Sequence, residues 1–462
     1  MVVGNAPEAV DLVVIGTGPG GYTAALHAAS LGREVTLVER GGEQAVGGVC
    51  LHSGCIPSKS LIEAAGIYHR SHSSAHMGIT VDNACFNMTA FLDFKRGVVD
   101  QLAGGVAQKL SSAGVKIVTG NALFTDSKTL VVATIDGQAK FLQFRDCIIA
   151  TGSSPLSLPG FTFGDTVLDA EAALELQEVP QSIAIVGAGY IGLEIGCALA
   201  KLGSVVTVVE AEPRILPAME AGPDIILRRK MEQLGIQFKC GCKASDYTDG
   251  VLKLVDSNQA EFRIEAEYVL LAVGRKPNTA DLELDAAGIA VQADGLLAVD
   301  ADRRISQHIA AIGDITPGPA LAHKAMAEAV VAVDALCGES TAFEPQAVPL
   351  IVFTDPEIAM AGSSLQRALS DEVKAVSAKL PLRASGRAAT MAESDGYIEL
   401  VFVEVDRTLL GATIVAPHAS ELVAEICVAI EMGASVDDLA LTIHPHPTLS
   451  ELVMDTALKK VH

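Results

Sequence analysis

The chain has 462 residues, too many for one hydrophobic core; at about 150 residues per domain it should divide into about three units. Half of the residues are hydrophobic, which permits large cores and excludes a disordered polymer. The formal net charge of −23, with no basic cluster interleaved with aromatics, repels a phosphate backbone and argues against nucleic acid as a partner, whereas a basic docking module would suit that field.

Ten residues precede the first apolar run, Asp11-Leu-Val-Val-Ile-Gly16, leaving no room for a basic, apolar and cleavable leader, so a cytoplasmic location is expected. The run predicts a strand over 11–16. Gly16-Thr-Gly18-Pro-Gly-Gly21 follows and leads into a helical pattern over 22–31, and a second strand over 34–38 ends at Glu39. This is the dinucleotide fingerprint: a tight turn at Gly16, close backbone approach to a pyrophosphate at Gly18, helix packing at Gly21, and a carboxylate 23 residues after the first glycine that can accept ribose hydroxyls.

Next comes Gly47-Gly-Val-Cys50-Leu-His-Ser-Gly-Cys55-Ile-Pro-Ser-Lys59. On a regular helix, five positions place two cysteines about 140° apart, so a bridge requires a distorted turn, which Gly54 and Pro57 could permit. A bridge also requires Cα atoms within about 7 Å. Taken alone, the pair is equally compatible with two thiols that never join. The other cysteines, Cys85, Cys147, Cys197, Cys337 and Cys427, read as core or surface thiols. Cys240 and Cys242 are too close for an easy bridge and lack a second pair for zinc, so no metal site is expected. Nine cysteines scattered through a leaderless chain do not form a secretory disulfide framework.

The fingerprint recurs at Ile183-Ala-Ile-Val-Gly187-Ala-Gly189-Tyr-Ile-Gly192, with a helix expected to Leu202 and a strand over 205–209 ending at Glu210, again 23 residues after the first glycine. One copy is a weak signal. Two copies with the same acid spacing predict two Rossmann-like units and two dinucleotides. The region 183–209 is also the most apolar of the chain, but Glu194, Lys201 and the glycines argue against a membrane span. Neither acid is replaced by arginine, and Glu210 would repel the extra phosphate of NADP, so NAD is expected; nearby Arg214 keeps NADP as the alternative.

Further motifs follow in order: Gly120 and Ala122, Ala150-Thr-Gly152-Ser153, Val273-Gly274-Arg-Lys-Pro-Asn278, Ala311-Ile-Gly-Asp314, Leu321-Ala322-His323-Lys324, a helical apolar pattern over 422–432, and His444-Pro-His446-Pro-Thr-Leu-Ser-Glu451. With the cysteine pair between Gly-Gly and Pro-Ser-Lys, this order resembles the pyridine nucleotide-disulfide oxidoreductase family over essentially the whole chain. Within it, the resemblance is to the members that oxidise protein-bound dihydrolipoyl groups and reduce NAD.

The resemblance implies an α/β fold with two Rossmann-like dinucleotide-binding domains and a C-terminal α+β dimerisation domain. The expected division is 1–149 for FAD, 150–275 for NAD, 276–344 as a central segment returning to FAD, and 345–462 as the interface of a homodimer. Asp314 should hold the ribityl chain, and Leu321, Ala322 and His323 should face the pyrimidine end of the flavin. Gly120 and Ala122 should lie on the adenine side, Gly152 on the second FAD loop and Gly274 against the nicotinamide nucleotide. Lys59 and Glu194 would form an ion pair beside the isoalloxazine, and Tyr190 would gate the nicotinamide site. Cys50 would be the sulfur that meets substrate and Cys55 the one against the flavin. A thiol attacks as a thiolate, so a base is required; His446 is the candidate, oriented by Glu451, while His444 is structural.

Three departures from the pattern stand out. His52 and Ser53 replace the usual Asn-Val, Ala320 stands where methionine is common, and Pro445 replaces alanine; none removes a reacting group. A lipoyl-bearing carrier, from a 2-oxoacid dehydrogenase or glycine cleavage system, is the implied partner. The alternatives are an NAD(P)H-dependent reductase of another disulfide, or a mainly structural subunit of a lipoyl-carrier complex.

Overall fold

The computed structural model describes residues 6–134 and 137–459. The strand Glu8–Ile15 lies between Val35–Glu39 and Ala139–Ile149, parallel to both, with Lys116–Thr119 beyond Val35–Glu39. Leu12 and Val14 point to one face, against Ala24, Ala25 and Ala28 of the helix Pro19–Ser30; Val13 and Ile15 point to the other, against Phe124 and Phe144. Both faces are covered, which explains why the strand reads as a continuous apolar run without alternation. Each fully buried aliphatic side chain contributes about 1.5–3 kcal/mol.

The first helix starts at Pro19, three residues before the apolar pattern begins, because proline's fixed φ suits the first turn. The chain leaves this sheet and later returns to it. Arg304–Ser306 and Ile309–Ala311 extend its edge beside Ala139–Ile149, and the helix Ala322–Leu336 joins the core below Leu12 and Val14.

The second repeat forms a parallel sheet in the order 237–240, 205–210, 182–186, 268–271 and 167–168. The apolar region 183–209 thus resolves into a strand, the helix Tyr190–Lys201 and a strand. Among the described residues, no helix is long and apolar enough to cross a membrane. Beyond residue 345, five antiparallel strands carry the helices Ala419–Glu431, Val436–Leu441 and Glu451–Leu458. In the C-terminal unit Ile443, Leu441 and Met432 are 95%, 82% and 78% exposed, large apolar side chains that the chain itself leaves uncovered.

Candidate functional site

The two glycine turns have nearly the same geometry. Gly16 and Gly187 have φ of +101° and +104°, and a Cβ on either would overlap a backbone carbonyl, of Ala150 or Ala272. A Cβ on Gly21 or Gly192 would overlap the carbonyl of the first glycine of its own turn. The fold itself therefore demands these four. The middle glycines differ: Gly18 and Gly189 have ordinary φ of −62° and −75°, and a Cβ there would meet nothing within 4 Å. The chain's own packing does not require the missing side chain at either position, which leaves room at a helix N-terminus, where a pyrophosphate fits.

Each acid is held in place by its own turn. Glu39 accepts the Thr17 N–H at 3.1 Å and the Thr17 hydroxyl at 2.5 Å; Glu210 accepts the Ala188 N–H at 2.7 Å and the Glu212 N–H at 2.9 Å. Arg214 points elsewhere. Its guanidinium donates to the carbonyls of Leu216, Pro217 and Met219 and lies 3.8 Å from Asp224. These residues fit FAD at the first turn and NAD at the second.

Both cysteines are thiols in this structure. They sit on either side of a helix break: Gly48–His52 ends at Ser53, and Cys55–Ser73 begins after Gly54. A Cβ on Gly54 would lie 3.0 Å from the Val49 carbonyl and 3.4 Å from the Cys50 Cα, so glycine lets the two turns close on each other. The distortion that the spacing required is this break, and Pro57 lies just inside the second helix. The side chains hydrogen bond to each other. That bond from Cys50, with the Lys59 charge, pulls the Cys55 thiol down to about 7, while the same bond and burial push Cys50 up.

Lys59, one turn along the helix from Cys55, pairs with buried Glu194 at 2.8 Å and lies 4.3 Å from the centre of the Phe353 ring. The Phe353 N–H donates to the other Glu194 oxygen at 2.9 Å. Tyr190 opens the helix that carries Glu194; burial, then Glu194, raises its phenol to about 12. Asp314 accepts the Ser153 hydroxyl at 2.5 Å, and Ser153 in turn accepts Arg275 Nε at 2.7 Å, joining three of the sequence motifs.

The remaining expected positions are less uniform. Gly152 and Gly274 have φ of +69° and +124°, and Gly120 has +154°. Ala122 has its methyl in the core beside Phe124, so only its backbone is available to a nucleotide. Leu321 caps the helix that Ala322 begins, and exposed His323 contacts the Pro349 carbonyl at 2.9 Å. His52 Nε2 lies 2.8 Å from the Val46 carbonyl.

His446 Nδ1 lies 2.8 Å from Glu451 Oε1. The other Glu451 oxygen accepts the Thr448 N–H at 2.8 Å; that bond, then His446, holds the carboxyl below its usual range. The His446 side chain is 80% exposed, so a group arriving from outside can reach its Nε2. His444 differs: both ring nitrogens are engaged, by the Thr442 carbonyl at 2.9 Å and Glu425 at 2.8 Å.

A buried cluster next to Asp314 is marked as a site by none of the motifs read from the sequence. Glu328 is fully buried, accepts the Gly313 N–H at 2.7 Å, and pairs with Lys324 and Arg303 at 3.0 and 3.1 Å. The i,i+4 spacing of Lys324 and Glu328 was the available signal. Phe353 was also missed, and no local motif marks it.

The profile described as pyridine nucleotide-disulphide oxidoreductase matches residues 10–329, and the dimerisation domain of the same family matches 348–457. A dihydrolipoyl dehydrogenase of Halobacterium salinarum is 46% identical over 99% of this chain and 97% of its own length. One from Geobacillus stearothermophilus is 42% identical over the same shares. Among solved structures, LpdA of Mycobacterium tuberculosis superposes with a TM-score of 0.89 at 27% identity, over 97% of this chain and 99% of that one. The HOCl-induced flavoprotein disulfide reductase RclA of Escherichia coli gives 0.86 at 25%, over 97% and 100%.

Proposed function

This chain belongs to the pyridine nucleotide-disulphide oxidoreductase family, and on that premise we propose that it is a dihydrolipoyl dehydrogenase, a homodimeric flavoenzyme that uses FAD and NAD. The observation that carries this reading is the cysteine pair at a helix break, with Cys55 drawn toward its thiolate beside the Lys59–Glu194 pair. Its substrate is a dihydrolipoyl group on a carrier protein, its location is the cytoplasm, and its units divide near residues 150, 276 and 345.

In the oxidised state Cys50 and Cys55 share a disulfide. One substrate thiolate attacks Cys50 Sγ, which breaks the Cys50–Cys55 bond and frees Cys55 as a thiolate. The second substrate sulfur then attacks the sulfur bound to Cys50, closing the lipoyl disulfide and releasing Cys50. His446 takes the proton from the attacking thiol, and Glu451 holds the ring and compensates the charge it acquires. The pair of electrons now resides on Cys50 and Cys55. FAD, when bound, would supply the redox chemistry that links this pair to hydride transfer to NAD. Asp314 and the Leu321–His323 backbone would hold the flavin, and Tyr190 would screen the nicotinamide site. Glu210 selects the free ribose.

Cys50 and Cys55 of one subunit work with the partner subunit's His446. The exposed imidazole and the uncovered apolar surface around Ile443 support this arrangement. The Cys50→Ser homodimer should be nearly inactive in dihydrolipoamide turnover, because no disulfide can form, and the His446→Gln homodimer should lose about 10²- to 10⁴-fold through loss of the base. A heterodimer of the two variants regains one intact site and recovers activity; heterodimers as inactive as both parents rule the shared site out. Cys55→Ser should keep bound flavin but lose the long-wavelength thiolate-to-flavin band of the reduced enzyme, and a surviving band would reject the role given to Cys55.

A further inference from the structure

Glu194 lies on the helix Tyr190–Lys201, and a short segment of the C-terminal unit, 353–355, runs along the same face of that helix. Three contacts fix it there. The Phe353 N–H donates to Glu194 Oε1 at 2.9 Å, the Asp355 N–H faces the sulfur of buried Cys197, and Lys201 Nζ meets Asp355 Oδ2 at 2.6 Å. Positions 194, 197 and 201 are i, i+3 and i+7, a stripe about 10 Å long on one face of that helix. Lys201 is nearly enclosed, with 7% of its side chain exposed.

We propose that Lys201 and Asp355 are positioning residues for the flavin-side ion pair: by anchoring the far end of the 353–355 strap, they hold the Phe353 N–H on Glu194 and the Phe353 ring beneath Lys59. This inference rests on the function proposed above. It goes beyond that function in tying the charge balance beside the redox sulfur to a contact two helical turns away, made by the C-terminal unit.

The two members of the ion pair act on Cys55 in opposite senses. Lys59 favours its thiolate and Glu194 disfavours it. The charged or titratable groups facing Cys55 are Cys50, Lys59, Glu194 and Tyr190. The Phe353 N–H partly neutralises Glu194, so a loosened strap leaves that carboxylate less compensated and the Cys55 thiolate less favoured. The Asp355 carboxyl, for its part, stays below its usual range although burial works to raise it, because the Lys201 charge and hydrogen bond outweigh burial.

The experiment is a pH titration of the thiolate-to-flavin absorbance band in anaerobically reduced holoenzyme, with flavin content and thermal midpoint measured on the same samples. Wild type should titrate near 7. Lys201→Met should move the midpoint up by about 0.5 to 1 pH unit, and Lys201→Arg should restore it. Asp355→Asn reads the same strap from its other end and should shift the midpoint in the same direction, with the double variant adding little more. Folded, flavin-loaded Lys201→Met or Asp355→Asn with the wild-type midpoint overturns the inference. A shift that Lys201→Arg fails to restore also overturns it. Absence of the band in wild type would instead defeat the proposed function, a separate outcome.

Discussion

The two dinucleotide turns use the same construction and then diverge at one place. In each, strand, glycine turn, helix and second strand lead to a carboxylate that reaches back to the turn's own N–H, at Thr17 in the first and Ala188 in the second. After the acid the chain returns to the turn in both copies. The Gly47 N–H donates to the Thr17 carbonyl at 3.0 Å, and the Leu216 N–H donates to the Ala188 carbonyl at 2.9 Å. In the first copy the returning segment continues into the helix that carries Cys50; in the second it is a loop whose carbonyls hold Arg214. Shared geometry thus serves binding, and the returning segment is where the copies acquire different chemistry.

The largest effect should come from the glycines that the fold itself requires. Gly16→Ala and Gly187→Ala combine a positive φ with overlap of a carbonyl oxygen, at a cost of at least about 3 kcal/mol each. Against a total stability of about 5–15 kcal/mol, both variants should show sharply reduced soluble yield and a lower thermal midpoint. A wild-type midpoint in either would mean that the turn relaxes more easily than its close packing implies.

Next are the middle glycines, where the copies should separate. A Cβ at Gly18 or Gly189 has open space and ordinary φ, so folding of the flavin-free chain should be unaffected. Gly18→Ala should lose bound flavin, with affinity weakened by about 10²-fold. Gly189→Ala should keep its flavin and raise KM for NAD by about tenfold or more. Flavin absorbance per chain and NAD saturation curves measure both. Flavin loss in Gly189→Ala would show that the two sites are not independent.

These glycines, both acids, the cysteines and the His446–Glu451 pair were legible because each depends on residues close in sequence. A turn, a cap or a five-residue spacing leaves a local signature. What was not legible is contact between distant segments. Phe353 meets Glu194 across 159 positions, and Lys201 meets Asp355 across 154. Their residue types are ordinary, and only the packing of separate sheets selects them. The helix break at Gly54 lies between these cases: the cysteine spacing required a distortion, but the backbone alone shows that one helix ends and another begins.

A smaller effect is expected at the second acid. Glu210→Gln keeps one acceptor oxygen for the Ala188 N–H but removes the charge, so repulsion of a ribose phosphate falls by about 2 kcal/mol, roughly thirtyfold in the NAD to NADP ratio of kcat/KM. Glu39→Gln, at the equivalent place in the first copy, should leave that ratio unchanged. A ratio that moves equally in both would show that the second turn does not discriminate the pyridine nucleotide.

The smallest change in cofactor choice should follow loss of Arg214. An arginine four residues beyond the acid is placed to attract the phosphate of NADP, and in an extended, solvated conformation it would do so. Here both terminal nitrogens of its guanidinium are engaged by the carbonyls of Leu216, Pro217 and Met219, and it faces Asp224 at 3.8 Å, so that end of the side chain shapes the returning loop. To bind a phosphate it would have to abandon those carbonyls, at a cost of about 1–2 kcal/mol for each bond that water does not replace. Arg214→Met should therefore lower the thermal midpoint by a few degrees through loosening of the loop that returns to Ala188, while the NAD to NADP ratio stays within about threefold of wild type. If that ratio instead rises tenfold, Arg214 swings out to meet NADP in solution, and the second returning segment recognises ligand as directly as the first one handles electrons.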